Sequence, residues 1–331
     1  MDILNNAVIT YDCIKASVDV TEKELSDFSV EKGDILFQRS SETLEDVGRA
    51  NVYMDDKTAV FGGFVIRGKK KGEYDPQYFN YLLRSPFARK RIVPMGAGAQ
   101  HFNIGQEGLS KVKLHFANIK EQKKIGKMFS LLDERIVTQS KIIDKLQSLI
   151  KGIRNDVYGK LRKSVGFNAM ISDVLSYEQP QPYIVENTEY TAEGIPVLTA
   201  NKAFVLGYTS EINGIYDKGD CIIFDDFTLD CKYVDFPYKI KSSAIKILTA
   251  KNKELLRYTF EFLKYLDLST EEHKRHYIAE TQNQEFILPT MHIVSTIAHT
   301  FSALSLRMES VVKQRNMFET QKQYLLRQMF I

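Results

Sequence analysis

The sequence predicts an α+β chain, two similar α/β modules joined by two long helices that form an antiparallel coiled coil. Two observations predict this. One helical pattern occurs twice, 172 residues apart, and the segments before each copy follow the same order of elements. In the first copy Ile125, Phe129, Leu132, Ile136, Gln139, Ile143, Leu146, Ile150, Ile153 and Val157 alternate in steps of four and three. In the second, Ile297, Phe301, Leu304, Met308, Val311, Arg315, Phe318, Lys322, Leu325 and Met329 fall on the same grid. A seam sustained over that length is the mark of a coiled coil. Phe129/Phe301, Leu132/Leu304 and Arg135/Arg307 are identical pairs, and Asn118 and Thr290 each sit where an N-cap is expected.

The elements follow in chain order. Residues 1–113 read as the first module, with strands at Ile35–Gln38, Ala59–Arg67 and Val112–Phe116 and a helix at Pro76–Ser85. Residues 114–163 are the first helical segment. Residues 164–286 repeat the module, with strands at Cys221–Phe224, Ala244–Leu248 and Phe286–Leu288 and a helix at Leu255–Leu266. Residues 287–331 are the second helical segment. A Lys-Gly-Asp turn opens the first strand of each module, at Lys32 and at Lys218. The first module is shorter at its start by roughly two dozen residues on this alignment of repeats. Each helix of about 40 residues would run about 60 Å. An antiparallel pair with one module at each end satisfies both seams. Gln139, Arg315 and Lys322 interrupt the seam; they either specify register or snorkel at a loosened end.

Composition narrows the classes. The chain has 331 residues, 44% hydrophobic and 26% charged, as expected of two globular cores. No apolar run reaches a membrane span, and no basic n-region precedes an h-region. Three scattered cysteines fit a reduced cytoplasm better than a disulfide framework. The net charge of +3 hides segregation: −7 over residues 1–61, +7 over 62–113, +7 over 114–163, −7 over 164–286 and +3 over 287–331. Such blocks suggest basic surfaces turned to one partner, or simply solvated faces. Phosphate-binding loops, HExxH, paired CxxC and G-x-S-x-G are all missing, so neither a metal nor a catalytic residue is expected. Asp225-Asp226 alone does not make a nuclease site.

Several residues suit nucleic acid. Arg67, Lys69, Lys70 and Lys71 form a basic turn, and Arg89, Lys90 and Arg91 follow an aromatic helix; such cations contact phosphates. The glycine-rich run 96–103 carries Gln100, His101 and Asn103, whose amides suit base edges. In the second module Asn201 and Lys202 end a strand, Asp226 and Thr228 could accept from a cytosine amino group, and Lys274, Arg275, His276 and Tyr277 precede Gln282 and Asn283. The alternative for each is an ordinary surface loop.

Taken together, Pro196–Phe204, Ile222–Thr228, Ser242–Leu248 and Lys274–Ile278 resemble a target-recognition domain of Type I restriction–modification specificity subunits, and Glu121–Ile125 with Leu131-Leu132-Asp133 resembles the start of that family's helical spacer. The resemblance covers nearly the whole chain. It implies a non-catalytic subunit in which two target-recognition domains each read one half of a split site on double-stranded DNA and the helical pair sets the gap. It implies docking of two methyltransferase subunits that hold S-adenosylmethionine and methylate adenine, support of ATP-driven restriction subunits, and a cytoplasmic location. The cofactors would sit on those partners, none in this chain. The shortened first domain departs from the family pattern at its start. The rival reading is a coiled-coil scaffold without DNA binding.

Overall fold

The computed structural model describes residues 2–200, 204–272 and 274–330. The chain divides into two compact units, Met1–Lys141 with Val312–Ile331, and Ile142–Val311. Compactness therefore groups each half of a long helix with the module it packs on, rather than setting the helices apart as separate segments.

The first unit carries strands β1 (Ser29–Val30), β2 (Ile35–Gln38), β3 (Ser40–Ser41), β4 (Ala50–Val52), β5 (Ala59–Val60), β6 (Val65–Gly68) and β7 (Phe102–Asn103). Its short helices are α1 (Asp2–Asn5), α2 (Glu22–Phe28), α3 (Pro76–Arg84), α4 (Pro86–Ile92) and α5 (Gln106–Ser110). The central sheet runs β4-β2-β6, all antiparallel, with Phe37 opposite Ala50 on one side and Ile66 on the other. Alternation sends Leu36 and Ile66 to opposite faces, where each is buried in its own cluster, Leu36 with Ile9 and Val30 and Ile66 with Val47 and Ile92. Asp75 caps α3 by accepting the Tyr78 N–H at 2.7 Å, and Pro76 at the first position lacks the N–H a helix start would leave unpaired.

The first long helix, α6 (Ile119–Ser164), connects to the second unit. There the strands are β8 (Ala169–Met170), β9 (Ser176–Glu178), β10 (Ile195–Leu198), β11 (Val205–Thr209), β12 (Cys221–Asp225), β13 (Cys231–Val234), β14 (Lys239–Ile240), β15 (Ile245–Thr249) and β16 (Glu285–Phe286). The helices are α7 (Ile171–Val174), α8 (Lys253–Leu266) and the second long helix α9 (Met291–Gln328). The central sheet runs β13-β12-β15-β9, and a smaller one runs β11-β10-β14 with β10 parallel to β14. In the central sheet β12 and β15 are buried on both faces, which is why they read as continuous apolar runs.

The repeat is visible in the backbone. In each unit the central strand enters from the Lys-Gly-Asp turn, and Gly33 and Gly219 there take left-handed φ of +92° and +95°. That region favours glycine. The sheets differ by one strand: β9 lies beside β15, and among the described residues no strand lies beyond β6. Two readings change. Val112–Phe116 forms no ladder; Val112 and Leu114 instead pack into the core under α4, and the Phe116 ring meets Phe79 at 5.2 Å. Ala59–Arg67 breaks at Gly62-Gly63 into β5 and β6.

The long helices pair antiparallel within each unit. In the first, Lys322 donates to Asp133 at 2.6 Å and Gln139 to Gln314 at 3.3 Å. In the second, Arg154 lies over the Phe301 ring. Every seam position is buried or half-buried. Lys322 and Gln139 thus make cross-helix contacts, whereas Arg315 pairs within its own helix with Glu319. Asn118 caps α6 by accepting the N–H groups of Lys120 and Glu121. Tyrosines tie each aromatic helix to the seam: Tyr81 donates to Asp133 at 2.8 Å, and Tyr158 donates to the Tyr258 carbonyl at 2.7 Å. In the second unit buried Glu261 accepts from both Arg154 of α6 and Arg257 of α8.

Candidate nucleic-acid interface

In the second unit three segments meet at the end of β12. The Asp226 N–H donates to the Ala244 carbonyl, just before β15, at 2.8 Å. The His276 N–H donates to the Asp226 carbonyl at 3.1 Å, and the Asp226 Oδ1 accepts from the N–H groups of His276 and Tyr277 at 3.0 and 2.7 Å. The other carboxylate oxygen lies 3.5 Å from the Lys246 ammonium, both side chains 1% exposed. A buried carboxylate with a cation and two N–H donors is fully paired. Asp226 is therefore a clamp that pins the 272–284 loop to the sheet.

What the clamp exposes is more informative. Asp225 Oδ1 accepts the N–H groups of Phe227 and Thr228, closing a tight turn that leaves both side chains exposed. The Arg275 guanidinium lies 6.0 Å from the Phe227 ring centre and reaches Ser243 at 3.4 Å. Arg275 has no carboxylate within ion-pair distance among the described residues. Lys274 differs: Glu272 and Glu280 both bind it, which raises its pKa and neutralises its field locally. Glu280 also accepts from the His276 ring at 2.8 Å and raises the histidine's pKa.

The first unit builds the same corner. Gln38 opposite Val65 ends the β2–β6 ladder as Asp225 opposite Ile245 ends the β12–β15 ladder. One residue on, the Arg39 N–H donates to the Phe64 carbonyl at 2.9 Å, and the Ile104 N–H donates to the Arg39 carbonyl at 2.9 Å. Arg39 thus occupies the place of Asp226, Phe64 that of Ala244, and the glycine-rich loop that of Lys274–Tyr277. The loop is held by paired N–H to carbonyl bonds between Ala97 and Asn103. Gly98 sits at φ +144°, where a Cβ would meet the His101 carbonyl oxygen at 2.0 Å. Gln100 and His101 are exposed at its tip. Asn103 is exposed too, but it accepts from Ser40 and donates to the His101 carbonyl.

Placement corrects several expectations. Arg67 is 5% exposed and donates to the equally buried Asp34 at 2.6 Å, so it braces the sheet and does not reach a phosphate. Arg89 spends one guanidinium nitrogen on the Glu45 and Val47 carbonyls, both at 2.7 Å, and burial pulls its pKa down. Asp226, His276 and Tyr277 are buried and cannot meet base edges. Gln282 and Asn283 donate to the Ile278 and Ala279 carbonyls, closing their own turn. Lys69, Lys70, Lys71, Lys90 and Arg91 are exposed, with Lys70 over Tyr74 and Arg91 stacked 3.8 Å from the Phe87 ring centre. Asn201 and Lys202 lie outside the described residues. Sequence reasoning missed Arg39, Phe64 and Phe227. The available signal was position, since Arg39 follows the strand that the first Lys-Gly-Asp opens as Asp226 follows the second.

Residues 1–148 match the family model described as the Type I restriction modification DNA specificity domain. The chain is 43% identical over 126 residues to the Type I restriction enzyme EcoR124I/EcoR124II specificity subunit of Escherichia coli, covering 36% of this chain and 31% of that protein. It is 27% identical over 146 residues to the putative Type I restriction enzyme MjaX specificity subunit of Methanocaldococcus jannaschii, covering 43% and 34%. The matched segments span about a third of the length of these curated relatives. In fold it is similar to the Type I restriction–modification S subunit from M. genitalium, with TM-score 0.61 at 15% identity over 92% of this chain and 84% of that one. Residues 1–148 thus match the Type I restriction modification DNA specificity domain, and the fold of the chain is similar to that of a Type I restriction–modification S subunit.

Proposed function

We propose that this chain is a non-catalytic DNA sequence-recognition subunit of a Type I restriction–modification complex. It reads a two-part duplex target, one part with each unit, and docks methyltransferase subunits through its paired helices. S-adenosylmethionine binds those partners, and ATP binds restriction subunits that join the same complex. The observation that carries the reading is the corner built twice, with Arg39 and Asp226 at equivalent backbone positions and exposed cations and aromatics around each. Positive side chains set on rigid strand ends provide phosphate contacts, and polar loop tips such as Gln100 and Thr228 supply base-edge groups. For docking, the outer face of α6 supports a partner with acidic and apolar groups, since Lys123, Lys124 and Lys127 flank the exposed Leu131.

The test maps methylated adenines in DNA from cells that express the chain with its methyltransferase partners. A two-part adenine-containing motif is expected, present only when the chain is expressed. Methylation that is unchanged by removing the chain contradicts the proposal.

A further inference from the structure

We infer that Phe64 and Phe227 are the sequence-discriminating apolar probes of the two reading corners, each inserting its ring against bases beside a phosphate-binding arginine. The inference rests on the DNA-recognition reading above and names residues it does not assign. Phe64 is 78% exposed at the end of the Gly62-Gly63 turn, where nothing lies within 4 Å of an added Cβ at either glycine. Its own carbonyl accepts from Arg39, so the ring is displayed from a fixed backbone. The Arg39 guanidinium reaches the Gly63 carbonyl at 3.5 Å on the same turn. Phe227 is 37% exposed, on a turn closed by Asp225 and facing Arg275.

Two features argue against incidental exposure. Each ring stands at the corner where three segments are hydrogen-bonded, and each has an arginine beside it, although the two phenylalanines come from different segments of the repeat. Phe64 precedes β6, whereas Phe227 follows β12. An exposed phenylalanine whose turn or ring is met by an arginine, reached by two different routes, indicates a shared demand. An apolar ring can contact a thymine methyl group or wedge between base steps, and both are sensitive to the base pair met. The adjacent arginine adds affinity without preference.

The test selects duplexes from a pool randomised over 20 or so base pairs, using the full chain and its Phe64→Ala, Phe227→Ala, Arg39→Ala and Arg275→Ala variants. Both phenylalanines are exposed, so unchanged circular dichroism and melting are expected and isolate the readout. Phe64→Ala should lose preference at a position in one part of the motif and Phe227→Ala in the other, each by about tenfold against the parent. Binding to a generic duplex should stay within about twofold. Arg39→Ala and Arg275→Ala should weaken all duplexes alike and lower the salt slope by about 1. Identical motifs and affinities for parent and both phenylalanine variants overturn the inference and leave the functional reading intact. A parent that enriches no motif and binds no duplex overturns both.

Discussion

Asp226 accepts the backbone N–H of Tyr277 at 2.7 Å across 51 residues of sequence, and this bond joins the end of β12 to the loop that carries Arg275. The carboxylate is also the counter-charge of Lys246, in a place where neither meets water. Asp226→Ala leaves the buried Lys246 ammonium without its counter-charge and the Tyr277 N–H without its acceptor, so it should destabilise the second unit by about 3–5 kcal/mol. Asp226→Asn keeps an acceptor for the N–H groups but not the charge, and should fall between. Urea unfolding of the two variants against the parent checks the order.

The first module's basic turn separates structural from surface cations. Arg67→Met leaves the buried Asp34 carboxylate with the Glu31 N–H but without its counter-charge, at a cost of about 3–5 kcal/mol. Lys70→Ala should leave stability unchanged while reducing the salt slope of duplex binding by about 1. Thermal melting and salt titration on the same two proteins give the comparison, and a stable Arg67→Met protein would remove the bracing role.

Seam residues should divide by burial. Phe129 has no exposed surface and stacks on Tyr81 and Phe330, with centroids 4.9 and 5.8 Å away. Truncation to alanine should cost about 3–5 kcal/mol. The Lys322–Asp133 pair is one-fifth exposed on each side, and Lys322→Ala should cost only about 0.2–1 kcal/mol. Denaturant midpoints at fixed protein concentration distinguish the two.

The loop carrying Arg275 should loosen as pH rises. Glu280 accepts from the His276 ring and raises its pKa above 6.5, with desolvation and Lys274 opposing. A raised folded-state value means that the imidazolium form holds the loop. That contribution is complete below 6.5 and is lost as pH climbs through the folded value. Glu280 is shifted the other way, below 4.5, by Lys274 and His276, so its share is lost only as pH falls through its lowered folded value. Amide exchange over 274–280, corrected for its intrinsic pH dependence, should speed up above pH 6.5. His276→Gln should remove that rise; a rise that persists in the variant assigns it to another group.

The helices were legible because a seam needs only local spacing, and every position on it is buried or half-buried. The same holds for the paired Lys-Gly-Asp turns. Val112–Phe116 has strand composition, but a strand requires a partner, and pairing is not written in its own residues. The site was legible as a region and not as a set of side chains. Arg67 looks like a phosphate cation until Asp34, 33 residues away, is found beside it, and Tyr277 looks like a base-stacking ring until Phe224 and Tyr177 are found packed on it. Burial of a charged or aromatic residue is decided by tertiary neighbours. Phe64 was hidden in the other direction, inside a strand expected over Ala59–Arg67, and stands in solvent on the turn that breaks it.

Duplex binding by the purified chain as a function of salt tests the central claim most directly. Recognition through phosphate contacts predicts that log affinity falls linearly with log salt at a slope of about −0.9 per contact, so several contacts cost orders of magnitude between about 50 and 200 mM. Binding that is absent at low salt, or indifferent to it, would contradict the account.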